Sequence, residues 1–390
     1  MKILILTTNF PRWKGDFRVP FIFEAARAMH AKGHTVRVIT MHNPGAANHE
    51  ILDGLEVFRA RYLPEKLETL QQDAAGIPAA WERGIQEKIS MLPYFWHFCL
   101  EVAKHSKGFD IIHANWSLSG LAAYITRRIH KTPYIVTVQG SDVFKTVDKL
   151  VIKSVIGKAL KNAAFVIALS NSLAEVTRKF GVPENQIVVI PNGIDINKFP
   201  MGNYELREKR LLFVGSLIER KGVRQLLEAM VRLNTRFPEY TLSIIGEGDQ
   251  KELLEEFVRK QDLSTCVHFL GTQSQSQVGD LMRKSKLLIL PSIEEGQGVV
   301  LVEALASGTP CIGSNVGGIP DVIKEDVGRL FKPGDINGLV DAISHFLSNE
   351  EIWKKASEAA RKRALENYDW DALVNGIITL YKKAMMKEEA

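Results

Sequence analysis

The 390-residue sequence predicts an α/β fold made of two doubly wound parallel sheets, one in each of two domains. Short apolar runs alternate with longer amphipathic segments, which is the pattern of a parallel sheet covered by helices on both faces. The alternation stops near residue 191 and starts again near residue 210. The length also exceeds the usual size of one hydrophobic core, so we expect two domains of fewer than about 200 residues each.

In the first domain, residues 2–8 form the first predicted strand, and residues 21–33 form the amphipathic helix that follows it. Further strands are predicted at 35–41, 110–115, 134–138, 165–170 and 187–192. Residues 64–97 interrupt this rhythm and are predicted to be helical in part. For their aromatic end, residues 94–96, we favour core packing over contact with an apolar acceptor, because aromatic side chains at helical spacing are usually buried.

The second domain repeats the alternation. Its strands are predicted at 210–216, 240–248, 267–271, 287–292 and 310–315. The predicted linker is 191–204, which lacks periodicity and contains Asn-Gly, two prolines and a further glycine. We therefore assign the domains to 1–194 and 195–370, with a helix over 371–390 packing back on the first domain. Because ligands bind beyond the carboxyl ends of strands in open α/β sheets, we expect the two domains to face each other across a cleft.

The composition excludes several classes of protein. It is 45% hydrophobic and 24% charged, as in ordinary globular proteins. No window approaches the roughly 18 apolar residues of a membrane-spanning helix, and the apolar run at the N-terminus is too short for a signal peptide. Cys99, Cys266 and Cys311 lie far apart, which argues against a disulfide framework or zinc site and for burial in a reducing compartment. We therefore expect a cytoplasmic protein.

The net charge of +5 is uneven, because residues 1–195 carry +7 and the remainder carries −2. Residues 144–163 place five lysines among apolar residues at near-helical spacing: Lys145, Lys149, Lys153, Lys158 and Lys161. Two interpretations stay open. The segment is either a face that docks on anionic lipid at the inner side of the plasma membrane, or a core helix with a solvated outer face. The basic residues are dispersed and lack interleaved aromatics, which argues against nucleic-acid binding.

The stretch PSIEEGQGVVLVEALASGTP, residues 291–310, follows a buried strand and reads as a glycine loop and a helix that ends at Gly308. The first amides of such a helix have no intrahelical partner and carry the positive end of the dipole, so they attract phosphate. Glu295 lies on the loop and Glu303 one turn inside the helix. Two carboxylates at these positions can accept hydrogen bonds from ligand hydroxyls. For the spacing alone, we favour a simpler explanation, in which one glutamate lies on the surface and the other on a helix face.

The whole block from Glu295 to Pro310 resembles the donor-site signature of retaining GT-B glycosyltransferases of the family four type. The match covers Glu295, Gly296, Gly298, Glu303, Ala304, Ala306, Gly308 and Pro310. The resemblance implies that Glu303 holds the nucleotide ribose and that Glu295 holds sugar hydroxyls. It also implies that the amides between them, including that of Val299, contact the sugar and the β-phosphate. Gln297 stands where the family usually has phenylalanine, at a position that acts largely through its backbone.

Further blocks in the second domain fit the same family. FVGSLIERKG, residues 213–222, contains Gly215 and Ser216 and resembles a strand end followed by a basic loop. In the family, Lys221 and Arg220 would neutralise the leaving diphosphate, although such a pair near a turn is also typical of solvated surface. Relatives often have arginine at the position of Ser216, so one of the two usual cationic residues is either missing here or replaced by Arg220. SIIGEGD, residues 243–249, resembles the turn that borders the nucleotide with Gly246 and Gly248. Lys251 in place of a third glycine distinguishes it from a Rossmann fingerprint.

In the first domain the resemblance implies that Gly15, in the loop after the first strand, approaches the donor phosphate. It places Arg18, Trp116, Gln139 and Asp142 on the acceptor side. Gln139 stands where many relatives have histidine, so we assign it no acid–base role. For Asp142, in a Gly-Ser-Asp turn, we favour hydrogen bonding to the local backbone.

The resemblance covers essentially the whole chain. It implies a retaining enzyme that moves a hexose from a nucleoside diphosphate, UDP being favoured over GDP, to a hydroxyl of a lipid-linked or cell-envelope glycan. No cofactor or metal is expected, because Lys221, Arg220 and the helix dipole supply positive charge. Two alternatives stay open. A sugar-nucleotide epimerase would lack this glutamate loop, and a non-catalytic sugar-nucleotide-binding protein is suggested by Ser216 and Gln139.

Overall fold

A computed structural model describes residues 1–16, 19–70, 84–144 and 146–389. The chain forms two compact units. Unit 1 comprises Met1–Pro191 and Trp370–Ala390, and unit 2 comprises Asn192–Asp369. The predicted site residue Arg18 and the predicted lipid-facing Lys145 lie outside the described residues.

Unit 1 is built on an eight-stranded sheet. Its strands are β1 (Lys2–Leu6), β2 (Thr35–Met41), β3 (His49–Leu52), β4 (Leu55–Ala60), β5 (Ile111–Asn115), β6 (Tyr134–Val138), β7 (Phe165–Ala168) and β8 (Ile187–Val189). The order is β3-β4-β2-β1-β5-β6-β7-β8, and all neighbours are parallel except β3 and β4. The sequence analysis missed this hairpin because β3 lies at the sheet edge and is mostly accessible to solvent, so it lacks an apolar run.

Helices cover both faces of the unit 1 sheet. They are α1 (Pro20–Ala31), α2 (Ile85–His105), α3 (Ser117–His130), α4 (Ser141–Phe144), α5 (Leu150–Lys161), α6 (Asn171–Arg178) and α14 (Trp370–Glu389). One apolar core lies beneath α2, α3, α5 and α6. A second core, on the other face, lies beneath α1 and α14. The C-terminal helix therefore packs on unit 1.

The aromatic residues 94–96 on α2 divide between core and surface. Tyr94 is fully buried, and its hydroxyl donates a hydrogen bond to the Thr8 carbonyl at 3.3 Å. Trp96 is 65% exposed. Core packing is confirmed for Tyr94 and wrong for Trp96, because residues two positions apart in a helix point about 200° away from each other.

Unit 2 has a six-stranded sheet with all neighbouring strands parallel. Its strands are β9 (Arg210–Val214), β10 (Thr241–Ile245), β11 (Val267–Gly271), β12 (Leu287–Leu290), β13 (Cys311–Ser314) and β14 (Gly328–Phe331), in the order β11-β10-β9-β12-β13-β14. Its helices are α7 (Val223–Arg236), α8 (Lys251–Lys260), α9 (Gln275–Lys284), α10 (Val299–Ala306), α11 (Ile319–Val322), α12 (Ile336–Leu347) and α13 (Glu350–Asn367). Together they enclose one core. The missed strand β14 is an edge strand with exposed residues in its middle.

Two further observations concern the chain as a whole. All three cysteines are unpaired: Cys266 and Cys311 are buried and Cys99 is half-buried. The expectation of burial is confirmed for Cys266 and Cys311 and only in part for Cys99. Among the described helices, none combines the length and the apolar character that crossing a bilayer requires.

Candidate functional site

The predicted loop-and-helix site lies at the carboxyl end of β12 in unit 2. Buried β12 ends at Leu290, residues 291–298 form the loop, and α10 begins after Gly298. Gly298 has φ +82°, in the left-handed region that favours glycine. Since β9 is hydrogen-bonded to β12, the loop after β9 lies beside this one. The two loops therefore contribute to one site.

An ion pair joins the two loops. The Lys221 ammonium lies 2.5 Å from the Glu295 carboxylate oxygen Oε2, and these side chains are only 15% and 12% exposed. Ser292 Oγ donates a hydrogen bond of 3.3 Å to the same oxygen. Two residues that were assigned separately to the diphosphate and the sugar are thus in direct contact. A cation and an anion held together where two loops meet can bind a ligand that carries both negative charge and hydroxyl groups.

The backbone fixes the position of this pair. The Ile293 N–H donates to the Arg220 carbonyl at 2.7 Å. Gly222 has φ +67°, and a Cβ atom there would lie 2.0 Å from the Pro291 carbonyl oxygen. Only glycine permits this approach. Arg220 is half-buried beside the pair, and among the described residues its guanidinium has no ion-pair partner.

The predicted donor-binding glycines bring strand ends together. The Gly215 N–H donates to the Ile245 carbonyl at 3.0 Å. A Cβ atom on Gly246 would lie 1.9 Å from the Gly215 carbonyl oxygen, and one on Gly248 would lie 2.2 Å from that of Leu217. Both glycines are therefore required by backbone contacts within unit 2. Half-buried Ser216 lies between those contacts, and the role of all four residues in donor binding stays a prediction.

A second glycine pair contacts the site, and the sequence analysis missed it. The Gly318 N–H donates to the Glu295 carbonyl at 3.1 Å. Gly317 has φ +54°, and a Cβ atom there would lie 1.8 Å from the same oxygen. The available signal was the Gly-Gly pair just after the predicted strand at 310–315. Any side chain at Gly317 would displace the Glu295 loop.

The side chain of Gln297 is engaged, which the resemblance did not indicate. It is 3% exposed. Its Oε1 accepts a hydrogen bond from the Asn192 N–H at 2.7 Å, and its Nε2 donates to the Asn192 carbonyl at 2.9 Å. The amide thus satisfies both backbone groups of Asn192 and ties the middle of the loop to the first residue of unit 2. A phenylalanine at this position would satisfy neither group.

The far end of α10 is held by another residue that the sequence analysis missed. Arg207 donates hydrogen bonds to the carbonyls of Ser307 and Gly308 at 2.8 and 2.9 Å. Burial lowers its pKa to about 10. Ser307 and Gly308 follow directly after α10, so Arg207 fixes the C-terminal end of the helix. Half-buried Glu303 lies on this fixed helix.

In unit 1, the predicted loop with Gly15 is held by a carboxylate. Gly15 has φ +89°, which favours glycine. The buried Asp16 carboxylate accepts hydrogen bonds from the Arg12 N–H at 3.0 Å and from Arg12 Nε at 2.8 Å. The loop conformation therefore depends on Arg12 and Asp16, neither of which was singled out from the sequence.

The other predicted acceptor residues meet at the ends of β5 and β6. Asp142 accepts hydrogen bonds from the N–H groups of Ser117, Gln139 and Gly140 at 2.7, 3.1 and 2.9 Å, which is the backbone role that its turn favoured. Burial raises the pKa of the Asp142 carboxyl, and these three N–H donors oppose the rise. Trp116, adjacent to Ser117, has φ +66°, which is strained for a bulky residue. The structure thus brings Trp116, Gln139 and Asp142 together.

Comparison with known proteins identifies the family. The model of the family described as "Glycosyl transferases group 1" matches residues 197–363, and that of "Glycosyltransferase Family 4" matches residues 20–198. The chain belongs to the group 1 glycosyltransferases.

Two curated relatives of this group 1 glycosyltransferase illustrate the range of similarity. Glycogen synthase of Mycobacterium tuberculosis is 33% identical over 217 residues, which are 55% of this chain and 52% of that protein. The chain thus matches about half the length of that relative. N-acetyl-alpha-D-glucosaminyl L-malate synthase of Bacillus anthracis is 28% identical in an alignment 394 positions long, gaps included, that covers 98% of this chain and 97% of that protein.

Solved structures of similar fold cover the whole glycosyltransferase. Sucrose-phosphate synthase from Thermosynechococcus elongatus has a TM-score of 0.82 at 22% identity, covering 99% of this chain and 100% of the other. Anabaena HepE in complex with UDP-glucose has a TM-score of 0.75 at 18% identity, covering 97% and 98%. At these identities the likeness establishes the fold. The group 1 glycosyltransferase has the GT-B fold, built from two Rossmann-like α/β units.

The described part of this glycosyltransferase contains no group of three or more His, Cys, Asp or Glu side chains arranged to hold a metal ion. The charged residues that follow β9 and β12 include Arg220, Lys221 and Glu295, and Glu303 lies on α10.

Proposed function

We propose that this glycosyltransferase transfers a hexose, with retention of configuration, from a nucleoside diphosphate to a hydroxyl group of a lipid-linked or cell-envelope glycan. UDP is the favoured carrier, and the reaction is proposed to proceed without a metal ion or a bound cofactor. Structural similarity to a protein solved with UDP-glucose supports the donor class.

The observation that carries the proposal is the ion pair between Lys221 and Glu295. It lies at the carboxyl ends of β9 and β12, beside the N-terminus of α10. Ligands of open α/β sheets bind at such strand ends. In the proposal, Lys221, Arg220 and the α10 amides bind the diphosphate. Glu295 accepts hydrogen bonds from sugar hydroxyls, and Glu303 accepts them from the ribose.

The proposed reaction takes place on one face of the sugar. The bond between the anomeric carbon and the diphosphate oxygen breaks, and the acceptor oxygen forms its bond to that carbon from the same side. The acceptor proton passes to the leaving phosphate oxygen, so no separate protein base is required. Negative charge grows on the diphosphate as the bond breaks, and Lys221 stabilises that charge more in the transition state than in the ground state.

We also propose that the enzyme attaches peripherally at the inner face of the plasma membrane. The support is the composition of α5, which carries Lys153, Lys158 and Lys161 and no acidic residue. Basic helices of this kind are attracted to the anionic cytoplasmic leaflet.

Proton NMR of fresh product tests the reaction, after mass spectrometry has selected the donor from a panel of nucleotide sugars. We expect an α-linked product from an α-linked donor, and turnover that persists in EDTA. Inversion to the β anomer would refute the mechanism, and consumption of the donor without an acceptor would favour an epimerase. Binding without any turnover across acceptors would favour a non-catalytic protein.

The variant Lys221→Ala tests the proposed role of the Lys221 ammonium in stabilising the leaving diphosphate. We expect turnover to fall by about 100-fold, with a smaller loss in donor affinity. Lys209→Ala is the matched control, because Lys209 is paired with Glu239 at 3.3 Å just before β9, at the opposite end of that strand. Equal losses in turnover and donor affinity for Lys221→Ala would show that this lysine only binds the donor.

A further inference from the structure

Three neighbouring helices of unit 1 share an unusual outer surface. Helices α2, α3 and α5 cover the same face of the sheet, and α3 packs between the other two. Among the described residues, 22 large hydrophobic side chains are exposed, and 11 of them lie on these three helices. We call them the apolar face: Ile85, Ile89, Leu92, Trp96, Leu100, Ile125, Ile129, Leu150, Val151, Ile152 and Val155.

The helical pattern shows that this exposure is organised. On α2 the exposed residues are spaced by four, three, four and four positions, so they form one stripe along the helix. Leu92 is 79% exposed and Trp96 is 65% exposed, whereas Tyr94 and Phe98, each two positions after one of them, are fully buried. Helix α2 is therefore apolar on two sides, one towards the core and one towards the surroundings. Contiguous exposed apolar surface of this kind marks an interaction site.

The three helices that carry the apolar face also carry net positive charge. The three helices contain seven lysines and arginines against two glutamates, a net charge of +5. One of those glutamates, Glu101, lies 4.0 Å from Lys104 and 3.2 Å from His105. A groove of about 240 Å³ beside α5 is lined by Lys153, Lys158 and Lys161, together with Ser154 and Phe180. A groove of lysines and one hydroxyl fits a phosphate headgroup.

We infer that the apolar face inserts into an anionic lipid bilayer, with the α5 groove against phosphate headgroups and the α2 stripe among the acyl chains. An amphipathic surface with this charge is the kind that lies in the membrane interface. A second copy of the chain fits less well, because a symmetric contact would bring two surfaces of net charge +5 together. The inference deepens the proposed peripheral attachment by naming α2 as the inserting element, and it depends on that attachment.

Flotation of the full chain with phosphatidylcholine vesicles, with and without phosphatidylglycerol, tests the inference. We expect binding to the anionic vesicles that weakens steeply towards about 1 M NaCl, where the Debye length is about 3 Å. Leu92→Gln/Trp96→Gln should weaken partitioning by about tenfold. Lys153→Gln/Lys158→Gln/Lys161→Gln should weaken it by about 100-fold, or roughly fivefold for each lysine.

Matched control variants show whether the losses in binding are specific to this surface or follow from changing any exposed leucine or lysine. Leu253→Gln/Leu365→Gln changes two exposed leucines of unit 2. Lys32→Gln/Lys382→Gln/Lys383→Gln changes three exposed lysines associated with α1 and α14, which cover the opposite face of the unit 1 sheet. Both controls should bind as the unchanged chain does. Circular dichroism and urea midpoints verify that each variant is folded.

Tryptophan fluorescence reports insertion directly. Anionic vesicles should shift the emission of the unchanged chain to the blue. Trp96→Phe should remove most of that shift while retaining flotation, because phenylalanine keeps the stripe apolar. An unchanged blue shift in a Trp96→Phe variant that still floats with the vesicles would contradict insertion of α2.

Two outcomes would overturn the inference. One is the absence of binding to anionic vesicles at low ionic strength. The other is self-association in solution that Leu92→Gln/Trp96→Gln abolishes, which would assign the apolar face to a second copy. Turnover with a detergent-dispersed acceptor separates this test from that of the proposed function. If vesicles bind but no transfer occurs, the proposed reaction fails and the docking surface stands.

Discussion

At the scale of single residues, the contact between Lys221 and Glu295 determines how the effect of a substitution at either position is interpreted. Lys221 Nζ and Glu295 Oε2 are 2.5 Å apart in a half-buried setting. Removing one partner leaves the other charge without compensation. The measured effect of a single substitution therefore includes both the lost side chain and the unpaired charge that remains. We therefore expect the two glutamates of the motif to differ in their effects on diphosphate binding.

We predict that Glu303→Ala and Glu295→Ala differ in their affinity for UDP, measured by calorimetric titration. Glu303→Ala should weaken binding by about 1–3 kcal/mol, because the ribose hydroxyls lose a charged acceptor. Glu295→Ala should leave UDP affinity unchanged or increased, because it releases Lys221 for the diphosphate, while turnover falls. Glu294→Ala, which changes the adjacent loop glutamate, is the control. Equal weakening of UDP binding by both variants would show that the two ends of the donor are wrongly assigned.

Gln297 gives a second prediction at this scale. Gln297→Met keeps the length of the side chain but leaves the N–H and the carbonyl of Asn192 without partners. We expect the free energy of unfolding, measured with urea, to fall by about 2 kcal/mol. Gln261→Met, at an exposed position after α8, should change it by less than about 0.5 kcal/mol. An unchanged urea midpoint for Gln297→Met would mean that the two hydrogen bonds contribute little to stability.

At the scale of elements, α14 is attached to the unit 1 sheet through a buried histidine on β5. The His113 ring nitrogens lie 2.6 Å from Tyr381 Oη on α14 and 2.6 Å from Thr137 Oγ1 on β6. Burial lowers the pKa of His113 from 6.5 to about 4. A buried imidazole, whose neutral form is favoured by burial, therefore connects three elements.

This arrangement predicts a pH dependence. Because the folded pKa lies below the unfolded one, the stabilisation is complete above about pH 6.5 and is lost as the pH falls towards 4. The full loss is about 3 kcal/mol, from 1.36 kcal/mol for each pKa unit. Urea unfolding at pH 7.5 and at pH 5 should show a smaller difference in His113→Gln than in the unchanged chain. His49→Gln, at an exposed position, should retain that difference. If His113→Gln also retains it, other groups control the acid sensitivity.

At the scale of the whole molecule, the two units differ in how the chain builds them. Unit 2 is one continuous segment, Asn192–Asp369, around a single core. Unit 1 needs two segments, because buried Trp370, Val374 and Tyr381 of α14 form part of the core beneath β1, β2 and α1. The core of unit 1 is therefore complete only when the α14 segment is present.

We predict that residues 192–369 fold alone, as measured by circular dichroism and a cooperative urea transition, and bind UDP. Their core and the groups assigned to the diphosphate lie within this segment. Residues 1–191 without α14 should lack a cooperative transition or aggregate, since the apolar surface beneath α14 would be exposed. Adding residues 370–390 through a short linker should restore folding of unit 1. A stable, cooperative 1–191 fragment would contradict this dependence.

The sequence by itself determined those elements whose causes are adjacent along the chain. Buried strands such as β6 and β12 are short apolar runs, and α10 has its glycine loop and C-terminal glycine within a few positions. Only the tertiary structure decided that Lys221 contacts Glu295, 74 residues later, and that Gln297 binds Asn192, 105 residues earlier. These contacts depend on which strands become neighbours, as β9 and β12 do despite the two strands between them in sequence. The sequence likewise did not decide which side of α2 faces outward. That helix has apolar residues on two sides, and only its packing on the sheet selects the side that is buried.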